Sequence, residues 1–143
     1  MDRLFYVLLH AASALTGYPE PDHLPTMAPV SYERLQAMMC SKAPIPCKVP
    51  TAIYFKGVVY YDEKLNIADE YGQSIIVHEL VHYVQDSGGW SQTDCMSKNQ
   101  REWQAYDAQY KYLLSRGIDR PSIKHTLDDG RWWGDFCPDK EAN

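Results

Sequence analysis

The residues best suited to chemistry stand together in the segment His78-Glu79-Leu80-Val81-His82, an H-E-x-x-H pattern. Residues four positions apart share one face of an α-helix, so both imidazoles can reach one metal ion from the same side. The Glu79 carboxylate lies beside them, where it can take a proton from a water molecule that the metal activates. The segment therefore predicts a hydrolytic zinc site with Glu79 as general base.

The pattern supplies only two of the ligands that such a site needs. A catalytic zinc ion usually has three protein ligands and keeps one position open. A third histidine six positions after His82 is absent, because Gly88 stands there. Glu102 follows twenty positions after His82, near the start of a second predicted helix, and the segment between is long enough to turn the chain back. We therefore predict that His78, His82 and Glu102 bind Zn²⁺.

These two motifs resemble those of the gluzincin metallopeptidases, whose third ligand is a glutamate on a second helix. The resemblance covers residues 75–108, about a quarter of the chain, and is closest to the minimal single-domain members. It implies a zincin-like domain that cleaves peptide or amide bonds, with a small sheet, an active-site helix and a glutamate helix. In that fold an edge strand before the active-site helix pairs with extended peptide substrate. The segment 58–67 is the candidate here.

One position departs from the thermolysin branch of that family. There an aspartate four residues after the glutamate supports a histidine ligand, whereas Tyr106 occupies this position here. The supporting hydrogen bond could come from Tyr106, from Asp107, from Asp86 or from a backbone carbonyl. The sequence leaves these alternatives open.

The transition state of peptide hydrolysis also needs a donor for the developing oxyanion. The candidates are Tyr106, His125, Tyr83 and Arg131. His125 follows the glutamate helix, where larger gluzincins place such a histidine, although it could equally be an ordinary surface residue. We take Tyr106 and His125 as catalytic candidates beside Glu79.

The pattern around these residues predicts an α+β fold that is mostly helical. Apolar spacing and end signals predict five helices, over residues 4–15, 31–39, 69–86, 97–116 and 121–127. The end signals include Ser31 as an N-cap and Gly17 and Gly117 as C-terminal stops. Two tightly joined strands are predicted over residues 52–55 and 58–61, with residues 65–67 extending the second strand or forming a third. The proline-rich segment 18–30 is expected to be an extended surface connector.

Length and charge narrow the classes of protein and partner. The 143 residues fit one domain spanning 1–143. A net charge of −5 without a run of lysine or arginine argues against nucleic acid or an anionic membrane surface as partner. No apolar stretch is long enough to span a membrane. We expect a monomer that acts on a peptide or protein substrate.

The four cysteines, Cys40, Cys47, Cys95 and Cys137, contain no C-x-x-C pair. Their even number is compatible with two disulfides, and we favour Cys40–Cys47 and Cys95–Cys137 among three connectivities. The alternative is four reduced cysteines in a cytosolic protein. Disulfides favour an oxidising compartment, so we expect a periplasmic or secreted protein. The apolar segment 4–14 lacks the positive charge of a signal peptide, so any signal peptide is expected upstream of this chain.

Two other functions compete with a peptidase. The first is a catalytically silent zinc-binding or interaction protein that retains the zincin fold. The second is a structural zinc site in a disulfide-bonded domain, which an open coordination position would argue against.

Overall fold

A computed structural model describes residues 2–40, 48–88 and 95–129, with residues 95–97 described through their backbone alone. The helices are α1 (Asp2–Thr16), α2 (Tyr32–Cys40), α3 (Glu70–Ser87), α4 (Cys95–Ser115) and α5 (Pro121–Asp128). The strands are β1 (Thr26–Val30), β2 (Ala52–Phe55) and β3 (Val58–Asp62). This arrangement confirms the predicted α+β class. None of the described helices is long and apolar enough to cross a membrane.

The three strands form one mixed sheet in the order β1-β3-β2. The hairpin of β2 and β3 is antiparallel, and Lys56 (φ 48°) and Gly57 (φ 84°) form its two-residue turn. A type I′ turn needs a positive φ angle at both central residues, and this turn type suits a two-residue hairpin. The predicted hairpin is confirmed. Residues 65–67 form no strand, contrary to the prediction.

Strand β1 lies inside the segment that was predicted to be a connector. It pairs in parallel with β3, from Thr26 opposite Val58 to Val30 opposite Asp62. Pro29 argued against a strand because proline has no N–H to donate. The position is tolerated because β1 is an edge strand, which needs backbone partners on one side only.

Helix α3 runs through the centre of the molecule and packs against α1, α4 and β2. Its side chains form much of the core, which includes Phe5, Leu8, Leu9, Ala12, Val59, Ile76, Val77, Leu80, Val81, Val84, Ala105 and Ala108. Helix α1 ends as predicted before Gly17, and its buried face centres on Leu8 and Leu9, while Val7 is 48% exposed. Ser31 accepts a hydrogen bond from the Arg34 N–H and caps α2 as predicted.

The buried face of α4 includes two alanines. Ala105, Ala108, Tyr112 and Leu113 are buried, whereas Trp103 and Leu114 are 38% and 46% exposed. Small alanine side chains let α4 lie close to α3, which places the larger aromatic residues at the flanks of the contact. The predicted end of α4 at Gly117 is confirmed.

Gly72 marks a close approach between α3 and the preceding loop, because a Cβ at this position would lie 2.0 Å from the Asn66 carbonyl oxygen. Gly72→Ala should therefore destabilise the protein by about 1–3 kcal/mol. Helix propensity alone would make the alanine variant more stable by about 1 kcal/mol, so the expected effect has the opposite sign. Urea unfolding measures it, and Glu70→Ala, at an exposed position of the same helix, is the control. A Gly72→Ala protein as stable as the parent would contradict the close approach.

The predicted disulfides cannot be placed in this fold. Cys47, Cys137 and the side chain of Cys95 lie outside the described residues. Both pairings therefore stay predictions, and with them the oxidising compartment.

Candidate metal centre

His78, His82 and Glu102 converge as the sequence predicted. The Glu102 carboxylate bridges the two rings, with Oε1 2.7 Å from His78 Nε2 and Oε2 3.2 Å from His82 Nε2. One ligand atom from each residue lies within 4.8 Å of the others, so the group could hold a metal ion. The histidines come from α3 and the glutamate from α4, so the cluster exists only because these helices pack together.

The two helices lie antiparallel, as the prediction required. Gln73 at the beginning of α3 accepts a hydrogen bond from Tyr112 near the end of α4, and Gln85 near the end of α3 contacts Arg101 in the first half of α4. Between these two contacts His78 lies opposite Glu102. Antiparallel packing therefore brings together residues that are 24 positions apart in sequence.

The cluster is electrostatically coupled. Burial raises the pKa of Glu102, but hydrogen bonds and charge from His78 and His82 outweigh burial and hold this pKa well below its ordinary value. Burial lowers the pKa of His82, but hydrogen bonding to Glu102 and its charge outweigh burial and raise the pKa to about 9. Glu102 is thus ionised over the whole physiological range, which suits a metal ligand.

Glu79 is buried beside the cluster without belonging to it. Its Oε2 lies 3.9 Å from His78 Nε2, and the residue is 9% exposed. Burial raises the pKa of Glu79, and the neighbouring His78 and His82 partly counteract this effect. A carboxyl group with a raised pKa is better matched to proton transfer near neutral pH than an ordinary surface glutamate.

The cluster opens into two adjoining cavities of ≈ 380 and ≈ 460 Å³. Both are lined by Pro50, Ala52, His78, Glu79 and Tyr106, and we call their union the groove. One side of the groove is therefore strand β2 and the other consists of α3 and α4. A chain lying in the groove would pass directly over His78 and Glu79.

The strand that borders the groove is β2 and not the predicted segment 58–67. That prediction was wrong because β3 is the central strand, with β1 on one side and β2 on the other. In β2, Thr51 O accepts a hydrogen bond from Asp62 N at 2.8 Å. Since hydrogen-bonded pairs alternate along antiparallel strands, Ala52 and Tyr54 direct their backbone N–H and C=O groups away from β3. The Tyr54 N–H donates to the Glu79 carboxyl. The other three groups form the open edge of the sheet.

The residues expected to support the histidine ligands do not do so through carboxylates. Asp86 is paired with Arg101 at 2.7 Å, and Asp107 is paired with Lys111 at 2.9 Å. Tyr106 packs its ring against the His78 ring, with centroids 4.5 Å apart and planes at 73°.

Two glutamines that the sequence analysis missed contact the histidines instead. Gln109 Oε1 lies 3.0 Å from His78 Nδ1, and Gln85 Oε1 lies 3.0 Å from His82 Nδ1. A signal for both was present in the sequence. Gln85 stands one turn after His82, and Gln109 stands two turns after Glu102, so each shares a helix face with a ligand.

Among the candidate oxyanion donors, Tyr106 lines the groove. Burial, together with the negative charges of Glu102 and Glu79, raises the pKa of its phenol, so the hydroxyl keeps its proton as a donor. Tyr83 donates its hydroxyl proton to the His23 carbonyl at 2.7 Å. His125 is exposed on α5 and is not among the described residues that line the groove, and Arg131 lies outside the described residues.

The donor set fits a divalent metal ion. Two imidazole nitrogens and one carboxylate oxygen, with both rings buried or half-buried, are the ligand types of catalytic zinc sites. The 2.7 and 3.2 Å separations are direct contacts between the Glu102 carboxylate and the two rings, and a bound ion would replace these contacts. No family model, curated protein or solved structure matches this chain, so its assignment depends on these residues and their geometry.

Proposed function

We propose that this protein is a zinc-dependent hydrolase that cleaves peptide bonds, with Glu79 as general base. The observation that carries the proposal is the arrangement of four side chains at one groove. His78, His82 and Glu102 form a cluster able to hold a metal ion, and Glu79 lies next to it as a separate buried carboxyl group. A structural metal site would not need this additional carboxyl.

The proposed metal is zinc, held by His78 Nε2, His82 Nε2 and a Glu102 carboxylate oxygen. Zinc bound by three protein ligands acts as a Lewis acid and makes water nucleophilic near neutral pH. The ligand types and their order in the chain resemble those of the gluzincins, which supports this choice over other divalent metals.

The chain's own residues would handle the protons of the reaction. Glu79 would accept a proton as water adds to the scissile carbonyl carbon, and would then give that proton to the departing amine when the C–N bond breaks. Tyr106, whose hydroxyl stays protonated, would donate a hydrogen bond to the carbonyl oxygen as negative charge develops there. Atoms balance, since one water and one amide yield one acid and one amine.

The open edge of β2 supports a peptide as the substrate. The N–H and C=O groups of Ala52 and the C=O group of Tyr54 face away from β3 and could pair with an extended chain as an added strand. Such pairing recognises a main chain without requiring particular side chains. It would hold a peptide bond over His78 and Glu79, because both residues line the same groove as β2.

Metal removal tests the proposal directly. Purified protein should contain about one zinc per chain, and it should cleave members of a quenched fluorescent peptide library. Dialysis against a chelator should abolish cleavage, and one equivalent of zinc should restore it. Stoichiometric zinc without cleavage of any library member would favour the silent zinc-binding protein instead.

Tyr106→Phe should lower kcat by about 10²–10³-fold with little change in KM, because its hydroxyl is proposed to act only in the transition state. The ring and its packing against His78 are retained in phenylalanine, so zinc content should not change. Steady-state kinetics on the best library substrate measure the effect. Tyr110→Phe, on the same helix with its hydroxyl bonded to Asp119, is the matched control. An unchanged kcat would remove Tyr106 from the mechanism.

A further inference from the structure

Each imidazole of the metal centre is held at its second nitrogen by a buried glutamine, at 3.0 Å in both cases. Gln109 is 5% exposed and Gln85 is 0% exposed. A carboxamide can donate through its NH₂ or accept through its carbonyl oxygen, so its effect on the ring depends on which end faces the histidine. The neighbours of each glutamine decide this.

At His82 the amide orientation follows from a backbone carbonyl. The same end of Gln85 lies 3.0 Å from the Arg101 carbonyl oxygen and 2.9 Å from Gln104 Oε1. A peptide carbonyl can only accept, so this end of Gln85 must be the NH₂ group. The end that faces His82 is then the carbonyl oxygen, which can only accept. His82 Nδ1 must therefore carry a hydrogen.

At His78 the orientation follows from a serine hydroxyl. Ser74 Oγ donates its single proton to the Tyr71 carbonyl at 2.6 Å, which leaves Ser74 Oγ as an acceptor. Gln109 lies 3.3 Å from Ser74 Oγ and must present its NH₂ group there. Its carbonyl oxygen consequently faces His78, whose Nδ1 must carry a hydrogen. Two independent hydrogen-bond networks thus place a hydrogen on Nδ1 of both rings.

We propose that Gln85 and Gln109 are positioning residues that hold both imidazoles with Nδ1 protonated, so that both Nε2 lone pairs point at the metal. The inference rests on the metal site of the proposed function. A glutamine does this as a neutral acceptor, so it orients the ring without adding a second negative charge to the Glu102 carboxylate.

The two networks also link metal binding to the packing of α3 on α4. Gln85 belongs to α3 and is oriented by Arg101 and Gln104 of α4. Gln109 belongs to α4 and is oriented by Ser74 of α3. Both orienting contacts therefore cross the interface between α3 and α4. One glutamine belongs to α3 and the other to α4. The ring orientations form only when both helices are in place.

Zinc affinity tests the inference without any need for catalysis. Gln109→Leu, which keeps the volume but removes the acceptor, should weaken zinc binding by about 10–100-fold in competition with a chromophoric chelator. Gln73→Leu is the matched control. Gln73 forms hydrogen bonds with the Tyr112 hydroxyl and the Ile67 carbonyl but does not contact either imidazole. Its replacement should therefore leave zinc affinity unchanged.

Two further measurements separate positioning from a general loss of stability. Gln109→Glu restores an acceptor for Nδ1–H and should recover most of the affinity that Gln109→Leu loses. In NMR spectra of the zinc-loaded protein, the His78 Nδ1 proton should exchange slowly with solvent in the parent and rapidly in Gln109→Leu, while the His82 Nδ1 proton is unaffected. If Gln109→Leu fails to fold, Gln85→Leu makes the same test at His82.

Unchanged zinc affinity in Gln109→Leu, or an equal loss in Gln73→Leu, would overturn the positioning role. So would a Gln109→Glu protein that folds but binds zinc as weakly as the leucine variant. These results leave the proposed function standing, because the parent would still bind zinc and cleave peptides. A parent that binds no zinc would instead overturn both proposals.

Discussion

Glu79→Gln should lower kcat by about 10²–10⁴-fold while the bound zinc stays in place. Glutamine has nearly the same shape as glutamate and fits the same buried position, but it cannot accept the proton of the attacking water. Glu79 lies outside the ligand cluster, with its carboxylate 3.9 Å from His78 Nε2, so metal binding does not depend on it. Burial raises the pKa of the Glu79 carboxyl, which suits it to this proton transfer.

The measurement pairs steady-state kinetics with metal analysis of the same sample. Glu63→Gln makes the same chemical change at an exposed position and should alter neither quantity. Full activity in Glu79→Gln would exclude this residue as the base. Loss of zinc together with activity would mean that Glu79 is a ligand. A metal-dependent binding function would survive the substitution, which separates an enzyme from a silent zinc-binding protein.

Glu102→Ala should release the metal, with a loss of zinc affinity larger than the ~10–100-fold expected for supporting residues. Glu102 contributes the carboxylate of the cluster, which contacts both rings, at 2.7 and 3.2 Å. Its removal leaves two imidazoles, which is fewer than the three protein ligands of a catalytic zinc site. Activity should fall with zinc content and return only at high zinc concentration.

Chelator competition compares Glu102→Ala with Glu79→Gln and Asp107→Ala. Asp107 lies on the same helix and pairs with Lys111, so its loss removes a carboxylate without touching the cluster. Zinc affinity should fall in Glu102→Ala alone. Equal losses in Glu102→Ala and Glu79→Gln would show that the ligand and the base have been wrongly distinguished.

Local signals in the sequence predicted most elements of the fold. The cap at Ser31, the hairpin turn at Lys56-Gly57 and the end of α4 at Gly117 all depend on a few neighbouring residues, and all three are found. Strand β1 was missed because Pro29 within it and Pro25 just before it are local signals against a strand. Only its position at the edge of the sheet, which depends on β3, makes Pro29 acceptable.

The contacts that support the histidine ligands likewise depend on tertiary packing and not on local sequence signals. Asp86 and Asp107 were reasonable candidates, since carboxylates often support histidine ligands. Each is paired with a cation, Arg101 or Lys111, and glutamines face the rings instead. The sequence could not rank these alternatives, because the ranking depends on how α4 is rotated against α3. The buried Ala105 and Ala108 mark the face of α4 that this rotation turns towards the core.

The sequence by itself determined that His78 and His82 share a helix face, because a spacing of four residues and a period of 3.6 are properties of the helix alone. It also singled out Glu102 as the third member of the cluster. The tertiary structure alone decided that β2 is the edge strand at the groove and that Gln85 and Gln109 hold the rings. These contacts join residues far apart in the chain, and their geometry follows from packing, which no local periodicity encodes.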